Sequence, residues 1–387
     1  MKVRNACRPL LRWSAVLSAA AVLAVSTGTP SSVQAASRAE AAQPKIVQAI
    51  ADTYPLALDD QGNVWGKALR SISVKDGFHR SLLMKGKGLD RVRSIAYGKG
   101  NIVALREDGT LWTVEKEDPA ITKELFHVSL GDQVPGLHGI EKVILNGALG
   151  LAVDQEGKVW TFESVSRKYR NSPGDSYYLK AEQLKGLDSI EDLAFGTTGL
   201  SFLREDGTVW VIEYPKSQYG FTLDKHAIRS TAPKPMKELK DIVKVDTDTA
   251  LTKDGTVWVW GTGVLATKQK NSIDTVVSPY QLPSLSEVAD FDNGGKHALF
   301  VKKDGSVWGL GYFILKMDAL GGKHPEEWKD LSPVEGLSDI VSVSVSDDPV
   351  GVGVDAAVKK DGTMSMWGIT DNHTFYPKPL QVDFRTN

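Results

Sequence analysis

One short pattern recurs down this chain and limits what it can fold into. It reads "ALDDQGNVWG" from Ala57, "ALREDGTLWTV" from Ala104, "LAVDQEGKVWTF" from Leu151 and "FLREDGTVWVI" from Phe202. Three more copies are "ALTKDGTVWVWG" from Ala250, "LFVKKDGSVWGLG" from Leu299 and "AAVKKDGTMSMWG" from Ala356. The shared glycines are Gly62, Gly109, Gly157, Gly207, Gly255, Gly305 and Gly362, separated by 47, 48, 50, 48, 50 and 57 residues. A fixed period of this length marks an array of similar supersecondary units. Each glycine closes a tight turn between β-favouring residues, so each copy reads as a hairpin. The mirror-type turns that suit strand twist need positive φ, which glycine adopts cheaply.

In the strand after the turn, Val257 and Val259 share one face while Trp258 and Trp260 share the other, because side chains alternate with period two. Both faces are apolar, as expected of a strand covered on both sides. Sheets stacked face to face around an axis meet that condition in every repeat. A repeat of this size holds four short strands, and seven repeats lie within the usual range of β-propellers. A first strand is visible upstream of the hairpins in "RSIAYG", "EKVILNG", "EDLAFG", "DIVKVD", "EVADFD" and "DIVSVSVS", and fourth strands in "KAEQLKGL", "APKPMKEL", "SPYQLPSL" and "LSPVEGL". The first repeat begins directly on a first strand near Lys45, and "YPKPLQVDFRTN" resembles the fourth-strand pieces. Seven units are expected to close a ring, with the terminal segment near residues 45–65. The fold class is therefore all-β, a seven-bladed β-propeller, with Trp258 wedged in the core at a truncation cost of about 3–5 kcal/mol.

Repeats of Ala-Leu, two polar residues, Asp-Gly and Thr-Val-Trp-x-Trp-Gly resemble the regulator of chromosome condensation repeat family over residues 45–387. "ALTKDGTVWVWG" and "HALFVKKDGSVWGLG" are its best copies, and "GGKHALF" around His297 matches the family's Gly-x-x-His. The resemblance implies a seven-bladed propeller. The founding member's exchange activity on a nuclear GTPase and its chromatin binding do not suit an exported acidic chain, and a fold does not fix a function.

Export is read from residues 1–35. Lys2, Arg4, Arg8 and Arg12 precede an uncharged run from Trp13 to Val25, followed by "SSVQAAS", where Val33 and Ala35 are the small residues before a cut near Ala36. The run of 13 residues is too short to cross about 30 Å of hydrocarbon at 1.5 Å per residue. No stable membrane span is expected after cleavage. Residues 36–44 then form a linker and 45–387 the propeller of a secreted or cell-surface protein. Cys7 is the only cysteine, so the mature chain is expected to hold no disulfide, thiolate metal site or cysteine nucleophile. Without the leader, 42 basic and 48 acidic residues remain. An acidic chain with no long basic run is a poor nucleic-acid binder, because phosphate neutralisation needs Lys and Arg.

No catalytic constellation, cofactor motif or metal set stands out. "WGTGVLATK", with Gly261, Gly263 and Ala266, imitates a dinucleotide fingerprint but is followed by no helical period and enclosed by no βαβ unit. "DQGNVW" resembles the Asp-box of sialidase propellers, yet Leu58 stands where that motif has Ser or Thr. The histidines are scattered. Asp52, Asp246, Asp248, Asp292, Asp347, Asp348 and Asp355 are expected in turns on one ring face, a cation mouth or simply turn-formers. The variable connections after the tryptophan strand carry Tyr169, Tyr177, Tyr178, Tyr219, Phe221 and Trp328. Rings in loops that should be polar are candidate contacts, the alternative being packing on the blade rim. The expected function is a monomeric, non-enzymatic scaffold binding an extracellular protein or cell-surface glycan. The alternative is a hydrolase or lyase with ionisable groups converging over the central channel.

Overall fold

The computed structural model describes residues 43–385 apart from 52–54, 68–81, 87, 100, 117–127, 164–180, 218–219, 268–276, 284, 318–322, 347–352 and 370–374. Seven antiparallel sheets follow one another along the chain, each a meander whose strands run outward in sequence order. The inner strands are Ile46–Ile50, Val92–Gly98, Ile140–Asn146, Ile190–Phe195, Ile242–Asp246, Val288–Asn293 and Ile340–Ser344, of blades one to seven. The outer strands are Leu82–Lys85, Val128–Gln133, Ala181–Gln183, Lys234–Pro235, Val277–Gln281, Lys323–Pro333 and Phe375–Gln381. The first- and fourth-strand pieces read from the sequence thus lie where the repeat places them.

The core sits between blades. One apolar cluster joins Leu299, Val301 and Val307 of blade six to Ile340, Val343 and Trp367 of blade seven. Another joins Val354, Ala356 and Met366 of blade seven to Ile46, Ala57 and Trp65 of blade one, and so closes the ring. Closure also uses a fifth strand, Asp383–Arg385, which pairs in parallel with the outer strand of blade one. Phe384 meets Trp65 edge-on at 5.4 Å, and its backbone N–H donates to Gln43 Oε1 at 3.0 Å. The terminal segment therefore does lie near residues 45–65, touching Ile46 and Trp65, although its strand partner is Leu82–Lys85.

The repeated glycine joins one blade to the next. In blade three Gly157 N–H donates to Asp154 O, while Gly157 O accepts Ile190 N–H from blade four at 3.0 Å. The same bond recurs around the ring, ending with Ile46 N–H on Gly362 O. All seven glycines have φ between 72° and 94°. A Cβ on Gly157 would lie 2.7 Å from Ser189 Cα, so both the backbone angle and the contact exclude a side chain. The turn is not the mirror type expected. Among its described residues only the glycine has positive φ, and the Gly62 N–H to Asp59 O and Asp59 N–H to Asn63 O bonds define a wider loop. This is a type I turn followed by a left-handed glycine bulge, the three-residue alternative to the two-residue hairpin.

The tryptophan strands also need correction. Val257, Val259 and Trp260 are buried, but Trp258 is half-buried, as are Trp112, Trp160, Trp210 and Trp308. Three of these indoles face a cation from the preceding strand: Arg204 is 4.1 Å from the Trp210 ring centre, Lys302 is 4.5 Å from that of Trp308 and Arg106 is 6.0 Å from that of Trp112. Their N–H groups are held by the turn, directly on Asp59 or Asp154 for Trp65 and Trp160, and through Thr110, Thr208 or Ser306 for Trp112, Trp210 and Trp308. The indole position thus roofs the blade on the hairpin-turn side, and the valines beside it fill the core. In blade seven the equivalent residue is Ser365, which is buried.

Candidate functional site

Two places could hold a ligand: the channel lined by the inner strands, and the face where the first-to-second and third-to-outer connections emerge. All seven inner strands contribute to a channel cavity of about 800 Å3. Its charged groups belong mostly to blades three to six. Lys142 pairs with Asp192, and Lys244 donates to both Asp290 Oδ1 and Phe291 O at 2.6 Å. Burial opposes the Lys244 charge, but Asp290, Asp246 and Asp292 outweigh it and hold the ammonium above its ordinary range. Asp292 is pushed well above the carboxylate range, first by burial and then by Asp246, whose carboxyl it hydrogen-bonds.

Most of these side chains are occupied in stitching blades together. Asp192 accepts Val245 N–H at 3.1 Å, Asp246 accepts Asn293 N–H at 3.0 Å and Asp292 accepts Val345 N–H at 2.6 Å. Gln48 exchanges two bonds with Ile95 of blade two, and Ser344 accepts Ala51 N–H at 2.9 Å across the closure. Inner-strand N–H groups at a blade boundary have no ladder partner on that side, and buried donors must be paired. A short acceptor on the neighbouring blade answers that need.

The expected aspartate ring is therefore distributed differently. Asp246 and Asp292 lie in inner strands, Asp248 in a turn at φ 47°, and Asp355 in the second strand of blade seven. Asp355 accepts or shares a bond with buried His297 at 3.0 Å, which gives the family-like histidine a linking role between blades six and seven. Asp248 takes Thr197 N–H at 2.9 Å as well as the Thr197 hydroxyl. Burial raises its pKa to about 6 against the lowering effect of those bonds. Asp52, Asp347 and Asp348 lie outside the described residues, and no cluster of three His, Cys, Asp or Glu fit for a metal occurs among the described ones.

On the connection face, Tyr169, Tyr177, Tyr178 and Tyr219 lie outside the described residues. Phe221 is in a short strand, Gly220–Phe221, and packs half-buried against the cluster containing Leu149, Tyr214 and Ile228, with Lys216 Nζ 5.6 Å from its ring centre. It is seated on the blade rim, the packing alternative. Trp328 falls in the outer strand of blade six, opposite Gly311. There the insertion continues the third strand, Val307–Met317, and the outer strand into one long hairpin. The blade-four insertion adds a helix, Lys225–Ser230, capped by Asp224, which the sequence reading did not foresee. Its Arg229 reaches Glu182 at 3.1 Å and Glu163 at 3.5 Å on blade three. Between Asn146–Leu149 and Thr222–His226 it leaves a cleft of about 450 Å3. The "WGTGVLATK" segment forms a single helical turn, Val264–Thr267, at the end of the third strand of blade five. No βαβ unit surrounds it, because every neighbouring strand pair is antiparallel.

Solved structures with the same arrangement exist. Human WBSCR16 superposes with a TM-score of 0.56, 16% identity, and coverage of 78% of this chain and 84% of that one. Yeast RCC1 (Prp20), in its complex with Kap60, gives 0.55, 14% identity, and coverage of 92% and 91%. The fold is the RCC1-type seven-bladed propeller. Prp20p from Saccharomyces cerevisiae, a protein with binding properties toward Gsp1p and histones, gives 0.51 at 16% identity over 74% of this chain and 76% of that one. No protein-family model and no curated protein sequence matches the chain. At these identities the likeness to RCC1-type propellers is one of architecture.

Proposed function

We propose that this protein is an exported, non-enzymatic interaction scaffold that holds an extracellular protein on its connection face. The observation that carries this reading is the contrast between the channel and that face. Channel carboxylates are engaged by N–H groups and lysines of adjoining blades, whereas the blade-four helix and the long blade-six hairpin make the connection face uneven and leave a cleft. The solved RCC1-type propeller from yeast binds Gsp1p, histones and Kap60, which supports a protein ligand over a cell-surface glycan. Export rests on the basic, apolar and small-residue order of residues 1–35. Shortening the blade-six hairpin to a turn at Gly311 and Trp328 should abolish capture of the partner and leave the ring folded. Undiminished capture by that variant would refute the site.

The hydrolase or lyase alternative keeps one supporting observation: Lys244, Asp246, Asp290 and Asp292 do line the same cavity. It requires saturable turnover of a glycan or peptide that disappears in Asp292→Asn.

A further inference from the structure

Each inner strand carries one residue too many for its partner. Pairing with the second strand skips Val47 between Ile46 and Gln48, Val243 between Ile242 and Lys244, and Val341 between Ile340 and Ser342. The register shifts at the same place in the other four blades, at Arg93, Glu141, Glu191 and Ala289. A bulge of this kind re-aims one side chain out of the ladder. Here it does so seven times on the hairpin-turn face, opposite the connection face. Val47 also lines the channel cavity.

The residues chosen for that position divide the ring. Val47, Val243 and Val341 are 50%, 52% and 49% exposed, and they are the exposed large apolar side chains among the described residues. Ala289, also exposed, occupies blade six, so apolar bulges run unbroken through blades five, six, seven and one. The remaining arc holds Arg93, Glu141 and Glu191, with Arg93 tied to Glu141 at 3.1 Å. The exposed turns follow the division in six blades: two, three and four present Glu107-Asp108, Gln155-Glu156 and Glu205-Asp206, five, six and seven present Lys253-Asp254, Lys303-Asp304 and Lys360-Asp361, and blade one departs from it with Asp60-Gln61. Isolated surface valines need no explanation, but three confined to one structural position and joined into one arc do. The bulge serves the architecture in all seven blades; valine at it serves nothing in the packing.

We propose that the hairpin-turn face docks a basic amphipathic segment of a partner protein across the channel mouth. Its apolar side chains cover Val243, Ala289, Val341 and Val47, and its Lys or Arg side chains meet Glu141 and Glu191. Burial of half-exposed valines supplies affinity, and the acidic arc supplies orientation and encounter rate. The site is on the opposite face from the cleft and blade-six hairpin, so it can fail while the connection-face reading stands, and the reverse.

The probe is a short fluorescent peptide of amphipathic Leu/Lys pattern, with a Leu/Glu peptide of the same pattern as its counterpart, titrated by anisotropy into the full protein. Saturable binding of the Lys peptide alone is expected. The Val243→Asp, Val341→Asp double variant should weaken it about tenfold, and Glu191→Lys about threefold, with salt sensitivity reduced. Melting curves should stay in place because all three side chains are exposed. If the double variant does not fold, Val243→Ser with Val341→Ser is the substitute. Equal binding of both peptides, or binding indifferent to the valine changes, overturns the proposal. So does sedimentation showing a dimer that the same changes dissociate, which would make a second copy the occupant.

Discussion

Replacing Gly157 by alanine tests the inter-blade joint directly, because a matched control exists in the connection from blade two to blade three. Gly136 has φ 80° and nothing within 4 Å of an added Cβ, whereas at Gly157, φ 72°, the Cβ would lie 2.7 Å from Ser189 Cα and 2.8 Å from Ile190 N. Gly136→Ala therefore carries only the left-handed backbone cost, about 1–2 kcal/mol. Gly157→Ala adds a backbone clash that must separate blades three and four by several tenths of an ångström. That separation stretches the Ile190 N–H to Gly157 O bond of 3.0 Å. Leaving a buried donor unpaired costs about 1–3 kcal/mol, so the total is about 2–5 kcal/mol. Urea unfolding of the two variants, followed by tryptophan fluorescence, gives the difference, expected at about 1–3 kcal/mol with similar slopes. Equal losses within about 0.5 kcal/mol would mean that the turn is an ordinary hairpin and that the blades are not joined through it.

Three further outcomes are expected. Burial holds the folded pKa of Asp248 at about 6, above the ordinary aspartate value of 3.8, so the folded state binds more protons than the unfolded state between those pH values. The Asp248 contribution to stability should therefore fall by about 3 kcal/mol as pH rises from 4 to 6. Asp248→Asn should remove that contribution in pH-dependent urea titrations and leave the slope that comes from Asp292; an unchanged slope would place the titration elsewhere. Trp260→Ala should cost about 3–5 kcal/mol and half-buried Trp258→Ala about half as much, and the reverse order in thermal melts would contradict the burial of the two indoles. Phe384→Ala should cost about 3 kcal/mol by loosening the contact with Trp65. Hydrogen exchange should then speed up in blades one and seven before the others, and uniform acceleration would count against local closure.

Several features were readable without coordinates because they are periodic. The turn glycines fix seven hairpins, since few other residues tolerate their backbone angle, and the inner and outer strands fall at constant offsets from them. The turn type was misread because Asp-Gly suits both a two-residue mirror turn and a longer loop, and the choice lies in hydrogen bonds one residue away. Trp258 was misplaced for a related reason. Alternation says which residues share a face, not which face a neighbouring blade covers. The acceptors that staple blades, Gln48, Asp192, Asp246, Asp292 and Ser344, are of three residue types and stand either two or four residues after the first apolar inner-strand residue, so no single position or residue marks them in the sequence. Of the aspartates expected in turns, Asp246 and Asp292 proved to be part of that set, while Asp248 does sit in a turn and Asp355 pairs with His297. The rings expected to bind divide into Phe221, seated on the blade rim, Trp328, carried by a hairpin strand, and four tyrosines outside the described residues.

By itself, then, the chain determined its repeat, its all-β class and its seven-fold count, because these depend on local backbone geometry written at each turn. Only the tertiary structure decided which polar groups are spent between blades, how a fifth strand completes the circle, and which side chains the inner-strand bulges turn toward water. Those depend on contacts about fifty or several hundred residues apart, where geometry and not residue type selects the partner.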